Sequence, residues 1–460
     1  MSALWTHDTL QEATGGRADG PIPAGGVSID TRSLRPGDLF VALVGEHGDG
    51  HAHVATALEH GAAGAMVHGA AGLEHAGLEH EGRLLRVADT RAGLTNLGRF
   101  ARGRFTGRVV AVTGSVGKTT TKEMLRVALC ALGPTHAASA SHNNHWGVPL
   151  TLSRLHPAAA FCIVEIGMNH PGEIAPLAGL ARPDVAVITS IAASHIGHMG
   201  SLEAIAREKA ELVRSLRPGG VAVVPDDAVG SAEIAARACD AGAALIRFGV
   251  GPDAEARITA LSLDAAGSSF EAVVGGRPVT VRLAAPGRHM AMNALACLAA
   301  VHALDGDVAV AAAALSGFLP GDGRGALRPL LGGTASLLDE SYNASGASVR
   351  AALDVLRLMP GRHVVVLGDM LELGEFARHE HLSLAPFVET AADVVYCCGD
   401  MMTMLYHSLP RQLQGACESV SGAIAPIVAA TLRPGDVVLV KGSYGSRMRD
   451  VVSALTAGIP

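Results

Sequence analysis

The chain has 460 residues, of which 49% are hydrophobic and 17% charged, and its 36 basic and 43 acidic residues leave a net charge of −7. This length exceeds what one ordinary hydrophobic core can organise, so we expect two to four folded domains rather than a disordered chain. The acidic excess argues against a nucleic-acid-binding protein.

The first predicted unit is a small α/β module. Residues 27–44, VSIDTRSLRPGDLFVALV, predict two short strands around a turn at residues 36–38. Residues 51–68, HAHVATALEHGAAGAMVH, predict a helix that ends at Gly61 or Gly64 and is followed by a strand. The repeated segment AGLEHAGLEH at 71–80 is interpreted as a tolerant surface loop.

From about Thr90 the pattern changes to strands that alternate with helices. The segment RAGLTNLGRFARGRF predicts a helix, and VTVRLAAPGRHMAMNALACLAAVHAL predicts a strand followed by a helix rich in small residues. The other predicted strands of this region are RVVAVTG, AFCIVEIG, DVAVITSI and GGVAVVP. Such alternation favours a mainly parallel sheet with helices on both faces.

The alternation restarts after a Gly- and Pro-rich stretch at residues 320–328, which we take as a domain boundary. The strands predicted beyond it are ASLLDESY, RHVVVLGDM, ADVVYCCG and DVVLVKGS. The predicted fold class is therefore α/β with three domains: a small N-terminal module at 1–88, a central P-loop-type parallel sheet at 89–320, and a C-terminal Rossmann-like domain at 321–460.

The segment VTGSVGKTTT at 112–121 predicts a phosphate-binding loop between a strand and a helix. Val112 stands where the first glycine of the usual Walker A spacing would be, so the loop is a shortened version. The glycines allow backbone N–H groups to turn toward phosphate oxygens, Lys118 supplies a positive charge, and the Thr119 hydroxyl can bind Mg²⁺. The alternative is a strand–helix turn without function. The predicted nucleotide-binding residues here are Gly114, Ser115, Val116, Gly117, Lys118, Thr119 and Thr120.

A magnesium–nucleotide site needs further oxygen ligands. Glu165 follows an apolar strand, where ligand sites collect in open α/β sheets. Asp184 precedes its strand and is interpreted as a turn residue. His195 also follows a strand, but a lone histidine is more often structural than a ligand, and zinc is not expected from His195 and His198 alone. Lys209 lies in the helical segment AIAREKAEL and by default would be a solvated surface lysine.

Taken together, the motifs resemble those of the Mur ligases. The segments that carry the resemblance, in the order found in that family, are VTGSVGKTTTKEML, SHNNHWGVPLTLSRL, EIGMNHPGEI, DESYNASGASVRAAL, LGDMLELGE and VLVKGS. The resemblance as a whole runs from about residue 27 to 452. The motifs SYNA and GDMLELG resemble those of the branch that adds D-alanyl-D-alanine to UDP-N-acetylmuramoyl-tripeptide. They separate the chain from the ligase that adds the third amino acid, whose D-N-P-R signature is absent here, and from folylpolyglutamate synthetase.

The resemblance implies an ATP-dependent ligase of peptidoglycan synthesis that works through an acyl phosphate, with ATP and Mg²⁺ as cofactors. It implies that Lys209 is carbamylated and binds metal, which reverses the default interpretation, and that Thr119, Glu165 and His195 are the other metal ligands. Lys118, Lys209, His195 and Asn143 are the implied catalytic residues. The implied nucleotide ligands outside the loop are Asn293, Arg324, Asp339 and Asn343, with Tyr342 beside them. The implied residues on the acceptor substrate are Ser28, Asp30, Arg32, Asn143 and Asn144.

Four positions depart from the family pattern and affect local contacts rather than the reaction class. Met290 replaces an asparagine after His289, and Ser345-Gly346 replace Asn-Pro. Met199 replaces a phenylalanine, and the residues after Lys441-Gly442-Ser443 differ.

Two other functions stay open beside this ligase. One is a related acid–amine ligase with a different amine substrate, and the other is an inactive, nucleotide-gated binding protein. The seven scattered cysteines predict free thiols in a reducing compartment, and the N-terminal segment lacks a signal-peptide pattern. We therefore expect a cytoplasmic monomer without a membrane span that binds no nucleic acid.

Overall fold

The computed structural model describes residues 3–45, 48–69 and 82–457 of the chain. The repeated AGLEHAGLEH segment lies outside these residues. All seven cysteines lie in the described ranges, and each is a free thiol, as predicted. No helix in the described ranges combines the length and the apolar character that crossing a membrane requires.

Seventeen α-helices are present in the described residues. Their bounds are α1 His7–Thr14, α2 Val54–Glu59, α3 Thr90–Arg104, α4 Lys118–Cys130, α5 Gly147–Ser153, α6 Ile174–Ala181, α7 Ile196–Met199, α8 Leu202–Arg214, α9 Ser231–Asp240, α10 Arg288–Ala303, α11 Val308–Ala314, α12 Gly346–Leu356, α13 Ala377–Leu382, α14 Ala385–Ala391, α15 Asp400–Ser408, α16 Ser421–Thr431 and α17 Arg449–Thr456.

The strands of the same residues number twenty-two. Their bounds are β1 Arg17–Ala18, β2 Gly26–Ser28, β3 Asp38–Val41, β4 Val44–Gly45, β5 Gly48–Asp49, β6 Gly64–Val67, β7 Leu84–Arg86, β8 Arg108–Thr113, β9 Thr135–Ala137, β10 Phe161–Glu165, β11 Val185–Ile188, β12 Val221–Pro225, β13 Ala244–Gly249, β14 Ala256–Asp264, β15 Gly267–Val274, β16 Arg277–Leu283, β17 Ala326–Leu330, β18 Ala335–Glu340, β19 Arg362–Gly368, β20 Val394–Cys398, β21 Gln414–Glu418 and β22 Asp436–Lys441.

The chain divides into two compact units. The first comprises Met1–Ala111, Gly133–Met168 and Glu173–Asp184, and the second comprises Val112–Leu132, Asn169–Gly172 and Val185–Pro460. This division does not test the predicted domain boundaries at 88/89 and 320/321, which stay predictions.

The first unit contains a five-stranded sheet in the order β1-β7-β6-β3-β2. Strands β7, β6, β3 and β2 pair in parallel, and β1 joins them antiparallel at one edge. Trp5, Leu39 and Met66 are among the fully buried side chains of its core, because the parallel strands are apolar on both faces. The same unit also carries β10 and β9, which pair in parallel.

The second unit contains the strands β11 to β16, which lie side by side in sequence order. Strands β11 to β14 pair in parallel, whereas β14, β15 and β16 form antiparallel pairs. The sequence analysis had predicted only β11, β12 and β16 of these. The long α10 that follows is buried almost throughout, as its small residues allow.

The second unit also contains a six-stranded sheet in the order β17-β18-β22-β19-β20-β21. All its pairs are parallel except β17 with β18. The four strands predicted in this region, β18, β19, β20 and β22, are confirmed. The α/β fold class with mainly parallel sheets is confirmed as well, and the carboxyl ends of parallel strands are where its ligand sites are expected.

Candidate active site

The predicted phosphate loop connects β8 to α4 and requires glycine at two positions. Gly114 has a φ of 153°, and Gly117 has a φ of 86° in the left-handed region. A Cβ atom on Gly114 would lie 1.9 Å from Thr189 Oγ1, and one on Gly117 would lie 2.6 Å from Asn293 Oδ1. The two glycines therefore provide both a backbone conformation and a close approach that a side chain would prevent.

A second segment, residues 189–192 after β11, holds the loop in place. The Ser115 N–H donates to Ser190 O at 2.9 Å, and the Ser115 hydroxyl donates to Ala192 O at 2.8 Å. The Val116 N–H donates to Ser190 Oγ at 2.9 Å, and Thr189 Oγ1 donates to Val116 O at 2.5 Å. Sequence reasoning missed this support. The signal was the two hydroxyl residues, Thr189 and Ser190, that follow β11 directly within the segment DVAVITSI.

Helix α4 begins with Lys118, whose ammonium folds back over the loop. Its Nζ donates to Gly114 O at 2.7 Å. The first turn of the helix has no acidic residue, and Thr119 in that turn is buried. The positive end of the helix and the ammonium beside the glycine turn are features that favour binding of an anion.

We expect the Gly117→Ala variant to bind adenine nucleotide roughly tenfold or more weakly, because left-handed backbone strain alone costs about 1–2 kcal/mol. The added methyl group would also collide with Asn293. Titration calorimetry with ADP would measure the change. Gly103→Ala on α3 is the matched control, because a Cβ there meets no atom within 4 Å. An unchanged Kd for Gly117→Ala would show that the loop conformation is not needed for binding.

Lys209 on α8 is buried, with only 2% of its surface exposed, so the default interpretation as a solvated surface lysine is wrong. Burial is the main cause that lowers the pKa of its ammonium well below the usual range, and the nearby charge of Lys118 lowers it further. Glu208 opposes this shift in part. Sequence periodicity could not reveal this burial, because α8 buries two adjacent charged residues. The second is Glu208, whose Oε2 accepts from the Gly172 N–H at 2.9 Å.

In the first unit, Asn143 and Glu165 form a pair. Glu165 ends β10 with 2% of its surface exposed, and its Oε1 accepts from Asn143 Nδ2 at 2.8 Å. Asn144 has a different local role, since its Oδ1 accepts from the Gly147 N–H at 2.9 Å at the start of α5. The interpretation of Asp184 as a non-ligand turn residue agrees with its Oδ2 accepting from the Val109 N–H at 2.8 Å.

His195 precedes α7 and has a left-handed backbone, with a φ of 59°. Its Nδ1 contacts Oε2 of Glu372. The close approach of His195 is the main cause that lowers the pKa of the Glu372 carboxyl. The ring of His198 lies 4.5 Å from that of His170 between centroids.

Asp339, at the end of β18, is buried and accepts several hydrogen bonds. It accepts from the Ser341 hydroxyl at 2.6 Å and from the Gly323 N–H at 3.1 Å, and Arg328 approaches it at 3.3 Å. The guanidinium of Arg324 lies 3.9 Å from the centroid of the Tyr342 ring. These contacts bring Asp339 and the turn at residues 321–325 together.

Asn343 follows on the same segment, and its backbone oxygen accepts from Lys441 Nζ at 3.0 Å. Lys441 is buried and also binds Glu340 at 3.0 Å. The sequence analysis did not predict this buried ion pair. The motif VLVKGS carried the signal, because a lysine at the end of a buried strand needs an anionic partner.

The remaining candidates lie in the first unit, after β2. The buried Ser28 hydroxyl donates to Asp30 O at 3.0 Å. The Asp30 carboxylate holds Arg32 through two atoms, with Nε to Oδ1 at 2.9 Å and Nη2 to Oδ2 at 2.7 Å. Arg32 is 88% exposed and can reach an anion in solution.

The donors available for a metal are hard oxygen atoms. In the part of the chain that the structure describes, no group of three or more His, Cys, Asp or Glu side chains is placed to hold a metal ion. Mg²⁺ bound with nucleotide typically uses only one or two protein oxygens together with phosphates and water. The buried Thr119 hydroxyl in the second unit and the buried Glu165 carboxylate in the first unit are each an oxygen donor of this kind.

Comparison with known proteins gives consistent matches along the chain. Residues 24–96 match the Mur ligase family catalytic domain, 112–301 the Mur ligase middle domain, and 331–444 the Mur ligase glutamate ligase domain. The UDP-N-acetylmuramoyl-tripeptide–D-alanyl-D-alanine ligase of Escherichia coli K12 is 33% identical, with 98% of both chains covered.

Two solved structures are similar over nearly the whole chain. A crystal structure of MurF from Acinetobacter baumannii has a TM-score of 0.85 and 31% identity and covers 98% of this chain and 99% of its own. MurF ligase from Thermotoga maritima in complex with ADP has a TM-score of 0.78 and 25% identity and covers 94% and 97%. The α/β fold of this chain is therefore that of the Mur ligases.

Proposed function

The chain belongs to the Mur ligase family, and from that premise we propose that it uses ATP to join D-alanyl-D-alanine to UDP-N-acetylmuramoyl-tripeptide. The product is the UDP-muramoyl-pentapeptide of peptidoglycan synthesis. The observation that carries the proposal is the loop at residues 114–120, whose two glycines, helix terminus and ammonium form a phosphate site in a chain similar throughout to such ligases.

The chemistry follows from the poor reactivity of a carboxylate. The terminal carboxylate of the tripeptide attacks the γ-phosphorus of ATP, ADP leaves, and an acyl phosphate forms. The amine of D-alanyl-D-alanine then attacks the acyl carbon, loses its proton, and displaces inorganic phosphate. The chain's contribution is to hold the reactants in line and to stabilise phosphate charge, with Lys118 as the principal cation.

The proposed metal ligands are Thr119, Glu165, His195 and carbamylated Lys209. When bound, magnesium neutralises charge on the phosphate oxygens. The low pKa of Lys209 supports the carbamate, because only a neutral amine adds to CO₂. This addition forms an N–C bond, releases one proton and converts a buried neutral amine into an anion that can bind metal.

The other candidate residues are assigned either to the nucleotide or to the muramoyl peptide. Asn293, Arg324, Asp339 and Asn343 are proposed nucleotide ligands, and Ser28, Asp30, Arg32, Asn143 and Asn144 are proposed ligands of the muramoyl peptide. Asn293 already touches the phosphate loop at Gly117, which supports a role at the nucleotide. The monomeric state and cytoplasmic location remain part of the proposal.

The test is phosphate release from ATP with Mg²⁺ and UDP-N-acetylmuramoyl-tripeptide, with and without D-alanyl-D-alanine. We expect release that requires both substrates and yields the pentapeptide in a mass spectrum. Release with a different amine only would favour the related-ligase alternative. No release under any condition, with ADP binding retained, would favour the inactive binding protein.

A further inference from the structure

The loop after β19 delivers an acidic side chain to His195. Glu372 Oε2 contacts His195 Nδ1, and the Gly197 N–H donates to Glu372 O at 3.1 Å. The Glu372 side chain is 42% exposed, whereas that of His195 is 17% exposed. Two residues of the 195–197 segment are therefore held by one residue of the loop after β19.

Hydrogen bonds hold the part of this loop that precedes Glu372 in place. Each of the three residues before Glu372 has a specific partner. Asp369 Oδ1 accepts from the Met402 N–H at 2.8 Å in the first turn of α15, the Met370 N–H donates to His381 Nε2 at 3.0 Å, and the Leu371 N–H donates to Ser443 Oγ at 2.9 Å. The backbone next to Glu372 is therefore held in a defined position.

The two segments approach backbone to backbone. A Cβ atom on Gly197 would lie 2.5 Å from Gly374 N and 2.7 Å from Leu373 C, so only glycine fits. His195 and Glu372 themselves have left-handed backbones, with φ of 59° and 64°. Non-glycine residues adopt this conformation at a cost, and such strain tends to occur at functional sites.

We propose that Glu372 is a positioning residue for His195: its carboxylate accepts the Nδ1–H, which keeps the Nε2 lone pair for the magnesium ion. The inference rests on the metal-ligand role of His195 in the proposed function. A ligating histidine commonly donates its other N–H to a carboxylate, which fixes the tautomer and the orientation of the ring. Here that carboxylate comes from the loop after β19, so His195 is oriented only when the 372–374 loop is docked against α7.

Two measurements on the full-length protein test this role. The first is the tautomer of His195, read from imidazole ¹⁵N shifts and assigned by comparison with His195→Ala. The second is the Kd for Mn²⁺ in the presence of ADP, measured by electron paramagnetic resonance. We expect the Nδ1–H tautomer in the parent protein, and we expect Glu372→Ala to lose it and to weaken Mn²⁺ binding about 10- to 100-fold.

Two further variants separate positioning from a merely structural effect. Glu372→Gln keeps an acceptor oxygen and should retain the tautomer with an intermediate Mn²⁺ affinity. Glu375→Ala removes an exposed glutamate from the same loop and should match the parent in both measurements. Thermal unfolding checks that all variants are folded.

An Nε2–H tautomer in the parent, or Mn²⁺ binding by Glu372→Ala that equals the parent's, would overturn the inference. Tighter Mn²⁺ binding by Glu372→Ala would also overturn it and would make Glu372 a competitor for His195. These outcomes are distinct from failure of the proposed function, which would appear as absent ligation by the parent protein.

Discussion

Lys118→Ala will reduce substrate-dependent phosphate release by roughly 10³-fold or more, because it removes the main cation from the phosphate loop. The Lys118 ammonium lies over the loop and bonds to Gly114 O at 2.7 Å, so it is already within the site that the triphosphate would occupy. Its charge matters most when negative charge redistributes over the transferred phosphoryl group. A continuous phosphate assay with both substrates measures the effect.

The fold should survive this substitution, since Lys118 stands at the start of α4 and the glycine turn before it stays intact. Arg126→Ala on the same helix is the matched control, because it removes a half-exposed cation that pairs only locally with Glu123 in the described contacts. Normal turnover by a folded Lys118→Ala protein would remove the loop from the mechanism.

Lys209→Ala will be inactive in the same assay, and added small carboxylates such as acetate or formate will partly restore activity. The reason is that the substitution deletes the proposed carbamate and leaves a buried space where a free carboxylate can stand in for it. Loss of a metal-binding anion is expected to cost at least about 10²-fold, on the scale of removing one electrostatic group from an active site.

Arg207→Ala on the same helix is the control, because Arg207 is exposed and its loss leaves the buried face of α8 unchanged. We expect it to retain activity and to show no response to acetate. A fully active Lys209→Ala protein would refute the carbamate. An inactive variant that no carboxylate restores, together with an intact parent mass free of CO₂ adduct under native conditions, would do the same.

Local sequence patterns predicted most elements near the site. The apolar strands β8, β10 and β11 are short, and a polar residue either ends each strand or follows it directly, so their positions follow from composition and periodicity alone. The strands β13 to β15 were not predicted. Most residues of β13 and β14 are only partly buried or exposed, and the antiparallel pairing of β14 with β15 depends on register with residues outside each strand.

The residues of the candidate site also include some that local sequence predicts and some that it does not. Gly114, Gly117 and Lys118 are adjacent in the chain, and their chemistry depends on a backbone turn that neighbouring residues specify. The support from Thr189 and Ser190 was not predicted, because those residues are more than 70 positions away and meet the loop only when the strands pair.

The sequence by itself determined the α/β class, the phosphate loop and the family, because each is expressed in contiguous residues or in the order of contiguous motifs. Only the tertiary structure decided that Lys209 is buried beside a second cation and that Glu372 meets His195. Burial and the distance between two charges depend on segments that are far apart in the chain, and only packing brings those segments into contact.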